Sequence, residues 1–360
     1  MKRTYNNPLI VLIIILSFVF SCKKNKETVV EFFPINDHLV SKVVEIPVTM
    51  AMALKIIVTE NNLIVYDHAK TNFLKVFELP TIQFLCSWGH FGKGGDGVKT
   101  FDFGTLKAEG NNFRFVDFLK YQTAVVQHDS IKIIRSQWLR TKVEPLNGLI
   151  KINDSIYVFN RTSEDKFEHT LFNSNNNKQT FNFGDFNDRY KIDKFFIRNQ
   201  FYQKRTVAKP DGERMAVFYT IFNKFKLYDN YGNLIKEIRI KNSDIETPID
   251  LKNPMNNTIY NAETIATNNF IAVLNPNISA EESSRNKKFS NPTISIWNWN
   301  GNPIAKYQLD RPICSFAISE KTQKIYAVSS MVKNEIFEFN LPQTLINLDT
   351  LRNVSINKLY

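Results

Sequence analysis

Cysteine is scarce: three residues in a chain of 360. Cys22 lies in an N-terminal leader, so Cys86 and Cys314 alone remain for the rest. Two thiols cannot staple a fold of this size, and they lack the spacing of a zinc site. A hydrophobic core must do the holding, and the chain is long enough to bury one. Alanine-rich helical stretches are missing as well. There is no Gly-x-Ser-x-Gly elbow, which excludes an appended serine hydrolase of that type. Basic residues exceed acidic ones, 46 to 35, for a net charge of +11. They are scattered, without a dense block or a nucleic-acid motif, so no nucleic-acid partner is expected.

Long apolar runs are also missing, with one exception. Leu9 to Phe20 is apolar apart from Ser17. As a helix it reaches about 18 Å, short of the roughly 20 residues that a membrane span requires. Lys2 and Arg3 precede it, and Val19-Phe20-Ser21-Cys22 follows. Charge, short apolar segment and cysteine in that order resemble a lipoprotein signal peptide with its lipobox. The expectation is a signal peptide over 1–21, cleavage before Cys22 and lipid on Cys22. Removing residues 1–21 takes two positive charges from the +11 and leaves +9. Lys23, Lys24, Asn25 and Lys26 open a polar stretch, expected to form a flexible tether over 22–37.

What the chain does have is aromatic and β-branched residues in short runs. Phenylalanine alone numbers 30 and tyrosine 13. Such residues suit pleated, half-buried surfaces. The runs repeat behind turn residues. Asn61-Asn62 precedes Leu63–Asp67, Asn111-Asn112 precedes Phe113–Asp117, and Asn153-Asp154 precedes Ser155–Phe159. Asp211-Gly212 precedes Met215–Tyr219, Asn268-Asn269 precedes Phe270–Leu274, and Glu320–Gln323 precedes Lys324–Val328. The intervals are 50, 42, 58, 57 and 52 residues, each enough for four short strands. Six such units predict an all-β, six-bladed β-propeller over 38–343, with a C-terminal tail over 344–360.

Particular segments carry a family resemblance. Ile296-Trp297-Asn298-Trp299-Asn300-Gly301-Asn302-Pro303 is one. Leu309–Ile313, Phe316-Ala317-Ile318 and Lys324–Ala327 continue it. Together they resemble the closing blades of TolB-like six-bladed propeller lipoproteins. Gly89 to Gly97 is similar to the Gly-rich connector after their first blade, and Lys209-Pro210-Asp211-Gly212 to a turn in their fourth. The resemblance spans roughly residues 40–341 and concerns fold more than any active site. It implies a protein or glycan partner held on one propeller face.

Other motifs yield to plainer readings. Gly92–Thr100 approaches a phosphate-binding loop, but Val98 separates Gly97 from Lys99-Thr100, and a strand rather than a helix follows. Asp37-His38, Asp67-His68 and His128-Asp129 hint at metal, yet adjacent residues on a strand face opposite ways. Ala280–Lys288 reads as a polar rim insertion in blade five.

The sequence thus predicts a membrane-anchored lipoprotein of a Gram-negative cell envelope, carrying a monomeric propeller that binds or scaffolds. No catalytic residue, metal or cofactor is assigned, and Cys22 is the one modification site. The alternative is a propeller enzyme with a central-channel site, such as a lactonase-like or glycan-processing hydrolase. Two further expectations concern geometry. Cys86 and Cys314 should be free thiols on different strands of neighbouring blades. The segment Leu39–Ile46 should close the ring against blade six.

Overall fold

Each of the six turn signals sits between the first and second strands of an antiparallel sheet. The computed structural model describes residues 27–92, 97–139, 148–161, 166–175, 178–186, 195–241, 249–285 and 291–348. Six sheets radiate from a central channel. Blade one runs Ala53–Val58, Asn62–Asp67, Thr71–Glu78 and Gln83–Phe91, with Gly97–Val98 added outside. Blade two runs Phe101–Glu109, Asn112–Asp117, Lys120–Gln127 and Ser130–Trp138. Blade three runs Ile150–Lys151, Ile156–Asn160, Phe167–Asn173 and Lys178–Asp185. Blade four runs Lys204–Ala208, Arg214–Tyr219, Lys224–Asp229 and Leu234–Ile240. Blade five runs Glu263–Ala266, Phe270–Asn275, Thr293–Asn298 and Pro303–Leu309. Blade six supplies three strands from its own region, Ser315–Ser319, Lys324–Val328 and Glu335–Asn340.

Both faces of a blade are covered by neighbours, which is why the second strands read as nearly continuous apolar runs. In blade one, Leu63 and Val65 pack toward blade six. Ile64 and Tyr66, pointing the other way, pack toward blade two. The pleat alternation of a single strand therefore feeds two cores. Six apolar clusters result, one at each blade interface, and they form a closed circle. The Pro-Asp-Gly turn of blade four shows why glycine is needed there. Gly212 has φ +76°, and a Cβ on it would lie 2.7 Å from the Ile152 carbonyl oxygen.

The N-terminal segment closes the ring and does more. Lys42–Glu45 pairs antiparallel with Glu335–Asn340, so blade six receives its fourth strand from the expected stretch. Upstream, Ile35–Leu39 adds a parallel strand to the outside of blade five, and Thr28–Val30 does the same on blade four. The flexible tether expected over 22–37 is thus corrected from Thr28 onward. Short segments without a turn signal look like linker in sequence. Here the exposed edges of blades four and five supply the missing hydrogen-bond partners. At the other end, residues 343–348 are helical, and Leu345 is fully buried against the blade five–six core. The tail expected over 344–360 therefore begins docked. Residues 1–26, with Cys22 and the signal segment, lie outside the described residues, as do 93–96 of the Gly-rich connector.

Candidate functional site

The first strand of every blade lines the channel, so its side chains meet there although they come from all over the sequence. The channel has two mouths. At one, the strand-one to strand-two turns converge around a cavity of about 810 Å³, with Asn153, Asp154, Asp211, Asn268 and Lys321 among its walls. This turn mouth balances its charges, for example Lys151 with Glu109 and Asp154 at 3.1 and 2.8 Å. At the other, where the inner strands begin, lies a cavity of about 630 Å³. This entry mouth is lined by five cationic side chains, Lys55, Lys107, Arg161, Lys204 and Arg205, against two carboxylates, Asp102 and Glu263.

Lys55, Lys107, Leu149, Ile150 and Val207 border both cavities and so mark the waist between them. There the buried ammonium of Lys55 meets Glu263 at 2.6 Å. These residues sit on blades one and five. Ser315 of blade six lies between, its hydroxyl 3.4 Å from the Glu263 carboxylate and accepting the Ile56 N–H. A polar tie thus spans three blades. Burial pushes the Glu263 carboxyl up, but Lys55, Lys107 and Arg205 outweigh it and bring it down to about 2.

Lys107 has no such partner. Its strand pairs with Asn112–Asp117, and the register breaks so that Phe103–Leu106 leave the ladder. Asp102 helps shape this bulge by accepting the Gly104 N–H at 3.0 Å. The bulge lifts Phe103 to the rim, where it stacks on Tyr66 with ring centroids 5.2 Å apart. Directly across the ladder from Lys107 stands Arg114, another cation. Arg114 bonds Glu109 at 3.2 Å. Lys107 makes no hydrogen bond or ion pair with any described residue. Burial, followed by the nearby Lys55 charge, lowers its ammonium to about 7.

Beside the entry mouth, between blades three and four, lies a second polar cluster. Glu168 is fully buried and bonds Lys204 at 2.8 Å, Lys226 at 2.9 Å and the Tyr219 hydroxyl at 2.7 Å. His169 is equally buried, stacked on Phe183 at 5.0 Å, and burial drives its pKa well below the ordinary value. Both clusters escaped the sequence reading, because isolated Lys, Glu and His residues in strands carry no spacing signal.

The motifs singled out from sequence are not brought together. Asp37 and His38 lie on the outer strand of blade five. Asp67 accepts the Met52 N–H at 2.8 Å, and His68 contacts the Tyr66 hydroxyl at 3.3 Å. His128 occupies a hairpin turn at φ 54°. Among the described residues no group of three or more His, Cys, Asp and Glu side chains is placed to hold a metal. Cys86 and Cys314 are free thiols, and burial raises Cys314 to about 11. The insertion at Ala280–Arg285 is a short helix begun by a reciprocal cap between Ser279 and Glu282. No helix among the described residues is long and apolar enough to cross a membrane.

The ring geometry agrees with known proteins. A solved structure from Bacteroides vulgatus, a member of the DUF4221 family, superposes with a TM-score of 0.55 at 8% identity. The match covers 84% of this chain and 97% of that one, and shows a shared fold. Chaetomium thermophilum Raptor is more distant, with a TM-score of 0.45 and 9% identity over 83% of this chain and 29% of its own. No curated protein matches by sequence. The family profile described as TolB-like 6-blade propeller-like matches residues 34–321, from the strand added to blade five to the first turn of blade six, and the chain belongs to that family.

Proposed function

We propose that this propeller is a lipid-anchored binding module of a bacterial cell envelope, holding a protein or glycan partner at its entry mouth. The observation that carries the reading is the asymmetry of the channel. The turn mouth is charge-balanced, whereas the entry mouth joins an excess of cations to an exposed aromatic, Phe103, and to side-chain amides such as Asn199, Gln200 and Gln203. A cavity of about 630 Å³ falls within the usual range for ligand pockets.

The path of the N-terminus supports the same reading. Thr28–Val30 runs parallel to Leu234–Ile240, which starts at the turn-mouth end of blade four. Glu27, the first described residue, therefore lies on the turn-mouth side of Thr28. Cys22 precedes Thr28 by six residues, a reach of about 20 Å at most. With lipid on Cys22, the turn mouth faces the membrane and the entry mouth faces away, open to a partner.

Two measurements test this. Metabolic labelling with a palmitate analogue should mark the wild type and not Cys22→Ala; label on the variant refutes the anchor. A photo-crosslinking residue at Phe103 should trap one partner in intact cells, and the same residue at Asn61 on the turn mouth should not. Equal trapping from both positions, or none from Phe103, refutes the choice of face.

A further inference from the structure

Lys107 poses a physical problem. Its side chain is half-buried in the channel wall, and an ammonium partly withdrawn from water is stabilised by an anionic partner. Other cations surround this one. Arg114 faces it across the ladder, and like charges directly opposite on a sheet repel. Lys55, from the next inner strand, also lines the waist, and Glu263 is already taken by Lys55 at 2.6 Å. Arg205 stands above in the entry mouth. Its Nε donates to the Ala262 carbonyl at 2.9 Å, while the guanidinium has further N–H donors to offer. Glu109 is drawn outward by Arg114 and Lys151. Positive charge thus converges on one point of the channel, and the side chain at that point is uncommitted.

We propose that the waist of the channel binds a compact oxyanion, the carboxylate, sulfate or phosphate group of a ligand entering through the entry mouth, with Lys107 as its principal partner and Arg205 as the second. An anion there relieves the repulsion among Lys55, Lys107 and Arg114 and supplies the hydrogen-bond acceptor that Lys107 lacks. The wall beside it suits the remainder of such a ligand. Leu149, Ile150 and Val207 are apolar, and Thr264 presents a buried hydroxyl with no hydrogen-bond partner among the described residues. The chemistry fits a free inorganic anion or the acidic group of a larger molecule such as a uronic acid. This inference rests on the binding reading above but concerns only the waist.

Titration of the full chain in detergent, with sodium sulfate, sodium phosphate and glucuronic acid at constant ionic strength and pH 6.5, tests it. Calorimetry should show saturable binding that Lys107→Met and Lys107→Gln weaken at least ten-fold. Lys321→Met, on the turn mouth, should leave it unchanged. Mass-spectrometric acetylation gives an independent readout: saturating anion should slow modification of Lys107 at least ten-fold and leave Lys321 unaffected. Tighter binding of glucuronic acid than of either inorganic ion assigns the site to an acidic sugar, and the reverse order assigns it to the free ion. Wild-type affinity in both Lys107 variants, or unprotected Lys107 at saturation, overturns the proposal. Anion binding at Lys107 with no crosslink from Phe103 would overturn the partner reading and leave this one standing. A crosslink without anion binding would do the opposite.

Discussion

Replacing Glu168 by glutamine removes one negative charge and almost no volume. The carboxylate it removes has no solvent exposure and serves three groups, Lys204, Lys226 and the Tyr219 hydroxyl. The lysine side chains are 4% and 6% exposed, so neither can turn to water in place. Removing one partner of a buried ion pair costs about 3–5 kcal/mol, because the other charge is left uncompensated. Glutamine keeps one acceptor oxygen, which places the expected loss near ~4 kcal/mol, a large part of the 5–15 kcal/mol that typically holds a domain folded. An unfolding entropy of about 2.1 cal/mol/K per residue over roughly 320 residues converts this to a Tm drop of ~6 °C. Guanidinium and thermal unfolding of Glu168→Gln measure it directly. A triple variant, Glu168→Leu with Lys204→Met and Lys226→Leu, removes every charge together and should stay within about 1 kcal/mol of wild type, since apolar replacement of buried ion clusters is often neutral. Acid gives an independent check. Burial pushes the Glu168 carboxyl up, but the charges of Lys204 and Lys226 prevail and hold it well below its ordinary value of 4.5. A carboxyl depressed in the folded state contributes stability that is fully present above 4.5 and drains away as pH falls below it. Wild type should therefore lose more stability than Glu168→Gln between about pH 5 and 3. A loss under about 1 kcal/mol for Glu168→Gln at pH 7 would refute the argument, because such a value suits an exposed pair.

Further outcomes follow from the ring and its thiols. Deleting residues 23–46 strips the outer strands from blades four, five and six at once, so it should lower Tm by more than 10 °C, or about 7 kcal/mol on the same entropy scale, and promote aggregation through the bared edges. Deleting residues 345–360 removes Leu345 from the blade five–six core and should be milder, at about 2–5 kcal/mol, the range for losing one buried leucine side chain. Differential scanning calorimetry ranks the two, and the reverse order would show that closure depends on the C-terminus. Cys86 and Cys314 should both react with a thiol reagent in the unfolded, unreduced protein and resist it in the native state, where burial keeps each protonated; finding neither would mean that they are disulfide-bonded.

The hairpins, their six-fold rhythm and the strand that closes blade six were legible in the sequence because their causes are local. A turn that needs Asp211-Gly212, or an apolar run such as Leu63–Tyr66, is fixed by residues within a few positions of one another. Two local features still misled. Thr28–Val30 and Ile35–Leu39 have strand-forming residues but no turn before or after them. Nothing near them in sequence shows that blades four and five will each have an open edge to fill. The site lay further out of reach. Lys55 and Glu263 are 208 residues apart, Glu168 and Lys226 are 58 apart, and no pattern along the chain pairs them. Each charge alone looks like surface. What the sequence determined was six sheets of a given width; what only the closed ring decided was which side chains face one another across the channel. A radial fold makes neighbours of residues at the same depth in different blades, so the charge left over at Lys107 is a property of the circle and of no single strand.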